Sequence, residues 1–190
     1  MIRALIPLLA LAMTASPALA DVAESGAYIA QIGDGHTATI RQQSAQQYAR
    51  IEQSGSGNDA RIDQSGEGAH AAQTRQQGDG NILILNQAGA GAQAAALQQQ
   101  GAGNALAVQQ TGELGNGVLA KQLGDANRIV LVQDGGNNQA QLEQNGTGNA
   151  MTASQQGNDN RLAWTQNGDG LSDLQIIQGG GQTLQVIQSR

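Results

Sequence analysis

Glutamine returns along this chain at a nearly constant interval: Gln31, Gln42, Gln53, Gln64, Gln76, Gln87, Gln99 (or its neighbour Gln98), Gln110, Gln122, Gln133, Gln144, Gln155, Gln166, Gln178 and Gln188. Most steps are eleven residues and the rest are ten or twelve. A unit that short cannot enclose a core of its own, so it must bury its apolar side against the next copy; the period alone requires a stacked repeat. Each unit also has internal order. Gly follows the Gln two positions on and often again at four, as in Gly55/Gly57, Gly66/Gly68, Gly78/Gly80 and Gly146/Gly148. An Asn comes close to five positions on, at Asn58, Asn81, Asn104, Asn116, Asn127, Asn138, Asn149 and Asn160, followed by small or aliphatic residues at alternate positions. Gln99-Gln100-Gly101-Ala102-Gly103-Asn104-Ala105-Leu106-Ala107-Val108-Gln109-Gln110 is the cleanest copy.

From Asn to Gln the unit alternates with a period of two, which is the signature of a half-buried strand. Asn58, Ala60, Ile62 and Gln64 fall on one side and Asp59, Arg61 and Asp63 on the other. The same parity turns Ile40, Ile51, Leu83, Leu85, Leu106, Val108, Ile129, Leu131, Leu142, Leu162, Trp164 and Val186 inward, and Arg41, Arg50, Glu52, Arg128, Gln141 and Glu143 outward. The glycines stand where the chain must reverse, since Gly accepts the positive φ of a tight arc. One unit is therefore a strand and an arc, and two units close a flat turn. The predicted fold is all-β: a β-solenoid of stacked strand-arc-strand turns, with two parallel in-register sheets. Fourteen intervals between Gln31 and Gln188 give about fourteen units and seven turns, roughly 34 Å tall at the usual strand spacing. Gln and Asn can sit inside such a stack because identical amides one above another donate and accept in turn, forming structural ladders. Missing arc Asn residues are expected at His36, Gln47, Ala69, Ala92 and Leu171, and Gln43 to Gln46 carries no Gly.

Composition narrows the function. Only Pro7 and Pro17 interrupt the backbone donors, both within the first twenty residues. That stretch reads as a signal peptide over 1–20: Arg3, an apolar run from Ala4 to Met13, and Ala18-Leu19-Ala20 before the cleavage point. Residues 21–190 then form the repeat domain. A secreted chain without Cys has no disulfides to rely on, so repetition must supply its stability. Acids and bases are scattered singly around a net charge of -6, leaving no basic stripe for nucleic acid.

No catalytic, cofactor-binding or metal-binding residue is expected. Gly-rich copies at Gly33, Gly66 and Gly89 echo a dinucleotide loop but lack a following helix. Gly-Asp-Gly at Asp34, Asp79 and Asp169 lacks the nine-residue period of calcium β-rolls. His36 and His70 stand in no ligand spacing and are expected as solvated arc or strand residues, while Trp164 belongs to the core. No small-molecule substrate is expected.

The unit Gln-x-Gly-x-x-Asn-x-Ala-x-x-x-Gln resembles the curlin repeat of bacterial curli subunits, over the chain from about Ser25 to Arg190. The resemblance implies secretion through an outer-membrane machinery, and assembly with itself and with other curlin-type subunits. It further implies amyloid-like cross-β fibres at the cell surface, serving biofilm matrix, adhesion and aggregation. Leu174 to Gln178 and Leu184 to Arg190 look like the closing repeat of the minor, nucleating subunit, and the Gly-rich segment that precedes the repeats of the major subunit is not seen. The repeats outnumber those of either subunit. A secreted β-solenoid that binds as a monomer is the competing expectation; it would carry end caps and a flat face of repeated Thr.

Overall fold

The computed structural model describes residues 25–190, so the predicted signal peptide lies outside the described residues. Fifteen strands follow one another: β1 (Gly26–Asp34), β2 (Thr37–Gln42), β3 (Tyr48–Ser56), β4 (Asp59–Ser65), β5 (Ala71–Asp79), β6 (Ile82–Ala88), β7 (Ala94–Gln100) and β8 (Ala105–Thr111). The remainder are β9 (Gly117–Leu123), β10 (Arg128–Asp134), β11 (Gln139–Asn145), β12 (Ala150–Gln156), β13 (Arg161–Asn167), β14 (Ile176–Gly179) and β15 (Thr183–Ser189). No helix occurs among the described residues. Odd-numbered strands make one eight-stranded sheet and even-numbered strands one seven-stranded sheet, each in chain order. The chain is a β-solenoid.

Every pairing is parallel, and equivalent positions face each other: Gln53 opposes Gln76, which opposes Gln99, and Ile62 opposes Leu85. Register is tightly specified here, because a slip of one residue would turn a whole strand's apolar set into water. The core is the seam between the two sheets. Ile51, Ile62, Leu83, Leu85, Leu106, Val108, Ile129, Leu131, Leu142, Leu162 and Trp164 are buried as their parity predicts, while Ile40 and Val186, on terminal strands, are only partly covered. The seam is filled by small and large side chains together, Ala72, Thr74, Ala140 and Ala153 among Leu83, Leu85, Leu142 and Met151. Thr74 is tolerated inside because its hydroxyl donates to the Arg50 carbonyl at 3.2 Å.

Space in the arcs is as restrictive as conformation. A Cβ on Gly101 would lie 2.1 Å from the carbonyl oxygen of Gly124 in the next turn, so the close approach of successive arcs excludes any side chain there.

Candidate functional site

Two kinds of amide ladder run along the solenoid axis. In each sheet the Gln that ends a strand donates from Nε2 to Oε1 of the Gln in the next turn toward the C-terminal end. In the eight-stranded sheet Gln31, Gln53, Gln76, Gln99, Gln122, Gln144, Gln166 and Gln188 are linked at 2.7–2.9 Å. The other sheet links Gln42, Gln64, Gln87, Gln110, Gln133, Gln155 and Gln178 at 2.8–2.9 Å. Nε2 has a second hydrogen. It crosses the core to the carbonyl beginning the preceding strand, as from Gln42 to Gly26 at 3.2 Å and from Gln53 to Thr37 at 3.0 Å. A carbonyl only accepts, so this sideways bond fixes which end of each amide is nitrogen and gives the ladder a direction.

The Asn ladder does the corresponding work in the arcs. Asn58, Asn81, Asn104, Asn127 and Asn149 each accept, through Oδ1, the backbone N–H of the residue at the same place in the next turn, and donate from Nδ2 to a glycine carbonyl in that arc. His36 begins this column, taking the Asn58 N–H on Nδ1 at 3.3 Å, and Leu171 ends it. The second column contains Gln47, His70, Gln93, Asn116, Asn138, Asn160 and Gln182. The sequence expectation that Ala69 and Ala92 hold these places is corrected: the arcs after Gln64 and Gln87 are one residue longer, so His70 and Gln93 fill the ladder. The view of His70 as solvated is corrected too. Its ring is fully buried, with Nδ1 accepting the Gln93 N–H at 3.2 Å and Nε2 donating to the Ser65 carbonyl at 2.8 Å. Burial pushes its pKa down, partly opposed by the Ser65 bond.

Buried amides destabilise when unpaired and stabilise when every valence is met. Among the described residues only Asn145 Oδ1 is a buried side-chain polar atom without a partner. The second arc column is interrupted at its first step, where Gln47 Oε1 takes the Gln43 and Ser44 N–H groups of its own arc and the His70 N–H goes to the Gly68 carbonyl.

Residues 37–66 match the curlin associated repeat. The matched stretch spans β2 to β4 and holds Gln42, Gln53, Asn58 and Gln64, each of which recurs in the ladders described above. No curated protein and no solved structure matches the chain.

Outside the core, the two sheets present different surfaces. On the eight-stranded sheet Glu52 accepts from Arg75 at 2.7 and 2.9 Å and pairs with Arg50. The hydrogen bond from Arg75, more than that from Arg50, holds its carboxyl below the ordinary range against partial desolvation. On the seven-stranded sheet Ile82 and Ile84 stand exposed beside Ala105 and Ala107, and Val130 continues the row.

Among the described residues the solenoid ends are sheet edges without an outer strand. At one end these are β1 and β2, with Ile29 and Ile32 exposed, the latter 75%. At the other they are β14 and β15, with Ile177 and Ile187 74% and 65% exposed. Among the described residues the ladders end there as well: Gln31 and Gln42 have no Gln beneath them, and Gln178 and Gln188 none above. One turn departs from the pattern. β14 has four residues, and Asp173 just before it takes the Thr152 N–H and hydroxyl at 2.9 and 2.5 Å, leaving Leu174 exposed.

Proposed function

We propose that this chain is a structural subunit of extracellular, curli-like amyloid fibres at the bacterial surface, serving biofilm matrix, adhesion and cell aggregation. The subunit grows by head-to-tail stacking of its turns, with the Gln and Asn ladders continuing from copy to copy. The observation that carries this reading is the pair of open ends of opposite character. One offers Gln31 and Gln42 as Oε1 acceptors with no partner among the described residues; the other offers Gln188, whose Nε2 has one hydrogen on the Ser172 carbonyl and one left to give, and Gln178, whose Nε2 holds the Arg161 and Gln182 carbonyls and can share a hydrogen with a third acceptor as Gln76 and Gln166 do. Head-to-head contact would set acceptor against acceptor, so the ladder direction favours a polar fibre. An uncapped flat edge is a hazard in a monomeric protein and a template in a polymer. Residues 1–20 serve as the export signal and 21–190 as the assembling unit. Its partners are further copies of itself, other curlin-type subunits and the outer-membrane secretion machinery; the role calls for no catalysis and no cofactor.

Thioflavin-T kinetics on Asp21 to Arg190, followed by fibre diffraction, test this. Fibres with reflections near 4.8 and 10 Å are expected, and substoichiometric seeding of a partner curlin would assign the nucleator role. A folded monomer that never polymerises would point instead to a monomeric binding module or adhesin.

A further inference from the structure

We infer that successive copies in the fibre are related by a half-turn about its axis, so that the seven-stranded sheet of one copy continues as the eight-stranded sheet of the next. The inference rests on the fibre reading and specifies its contact: β1 of the incoming copy pairs with β14, and its β2 with β15.

Strand parity is the first reason. Fifteen strands cannot be divided equally between two sheets, and the described chain ends with β15 one level beyond β14. Each strand nonetheless relates to its predecessor by the same operation. The cross-core bonds from Gln42 to the Gly26 carbonyl and from Gln53 to the Thr37 carbonyl both span sixteen residues, although one leaves the seven-stranded sheet and the other leaves the eight-stranded sheet. A sixteenth strand in this spiral belongs beside β14. Straight stacking would set the incoming β1 on β15 and leave β14 facing the incoming β2 across an empty strand position, a gap of about 4.8 Å lined with unpaired backbone groups. The half-turn pairs both edges.

The glutamines give the second reason. Gln31 lacks the cross-core carbonyl that the other ladder members reach, because no described strand precedes β1. In the half-turn stack the preceding strand is β15 of the neighbouring copy, and its first residue, Thr183, supplies that carbonyl at the repeat's own offset. Gln178 then donates to the incoming Gln31, and Gln188 to the incoming Gln42.

The arc columns give the third. Gly33 begins a column in which an added Cβ would come 1.8–2.2 Å from the next glycine carbonyl oxygen as far as Gly146, and which Arg190 closes with a side chain, its Cβ 3.3 Å from one built on Gly168. Straight stacking would seat the incoming Gly33 arc on a residue that carries a side chain. The other column closes at Gly180, where an added Cβ would meet nothing within 4 Å. A half-turn seats the Gly33 arc over Gly180.

The test uses two double variants of the Cys-free chain, with substitutions at exposed, outward positions: Ala30→Cys with Ile177→Cys, and Ala30→Cys with Ile187→Cys. Each pair lies at opposite ends of one molecule, so a short thiol-bridging reagent can join it only between copies. In diffracting fibres, a ladder of covalent multimers is expected from the first variant and its loss from the second. Bridging by the second alone, or by neither, in fibres that diffract normally would overturn the half-turn and leave the fibre reading intact. Failure of the unsubstituted chain to form fibres would overturn both. Helical reconstruction gives an independent readout: a rotation near 180° with a rise of about 36 Å per copy supports the half-turn, and a rotation near zero contradicts it.

Discussion

Two glycines in one arc show how differently a single residue type is used. Gly101 has φ +116° and no room for a Cβ, whereas Gly103 has φ +66° and open space, and Ala126 stands one turn later in the same column at φ 54°. Gly101→Ala is expected to lower stability by more than about 3 kcal/mol, combining clash with strain. Gly103→Ala should cost about 1 kcal/mol from backbone conformation alone. Denaturant midpoints of the assembled variants check the order, and equal losses would contradict the steric account. His70 gives a pH dependence whose sign follows from its neutral ring. Protonating Nδ1 removes the acceptor for the Gln93 N–H, and burial disfavours the charge. The folded pKa is therefore below the ordinary 6.5, so the unfolded chain binds more protons in between. Its contribution is complete above about pH 6.5 and is lost as pH falls to the folded value. His70→Gln, matching Gln47 and Gln93 in its column, should flatten the fall in stability over that acid range; an unchanged profile would assign the acid sensitivity elsewhere.

At the scale of the element, inner amides and outer charges are unequal supports. Asn104, itself fully buried, accepts the Asn127 N–H at 3.0 Å and donates to the Gly124 carbonyl at 2.7 Å. Asn104→Ala orphans both, at about 1–3 kcal/mol for each unsatisfied group. Glu52, though it meets two arginines, lies on a wet face where such pairs contribute less than about 1 kcal/mol. Glu52→Gln should therefore lower the denaturant midpoint less than Asn104→Ala, and its effect should shrink in high salt. A larger loss from Glu52→Gln would mean that the outer face, not the ladder, holds the strands in register.

For the whole molecule, stability and assembly draw on the same edges. Interior turns are paired on both sides, while among the described residues β1, β2, β14 and β15 each have one neighbour. Ile40→Pro or Val186→Pro, on the terminal strands, removes a backbone donor and bends an edge. Either should slow elongation in seeded thioflavin-T assays. Unchanged growth would place the contact between copies away from the sheet edges.

Much of this protein follows from its sequence alone. The Gln interval, alternation over stretches such as Asn58 to Gln64 and paired glycines together require strands, arcs and stacking, because no single unit can bury its apolar side. Trp164 was legible as a core residue on parity. Ladder membership was legible where the arc residue is an Asn, as at Asn116, whose arc is also one residue longer. One extra residue in the arcs after Gln64 and Gln87 carries His70 and Gln93 into the column that counting assigns to Ala69 and Ala92, and only backbone geometry shows how an arc absorbs an insertion. The shortening of β14 likewise depends on Asp173 finding Thr152 a turn away, a contact between residues 21 positions apart. Ladder direction was also decided by the tertiary structure. An amide is ambiguous in sequence, and it becomes a directed donor only when a carbonyl from the opposite sheet stands beside it.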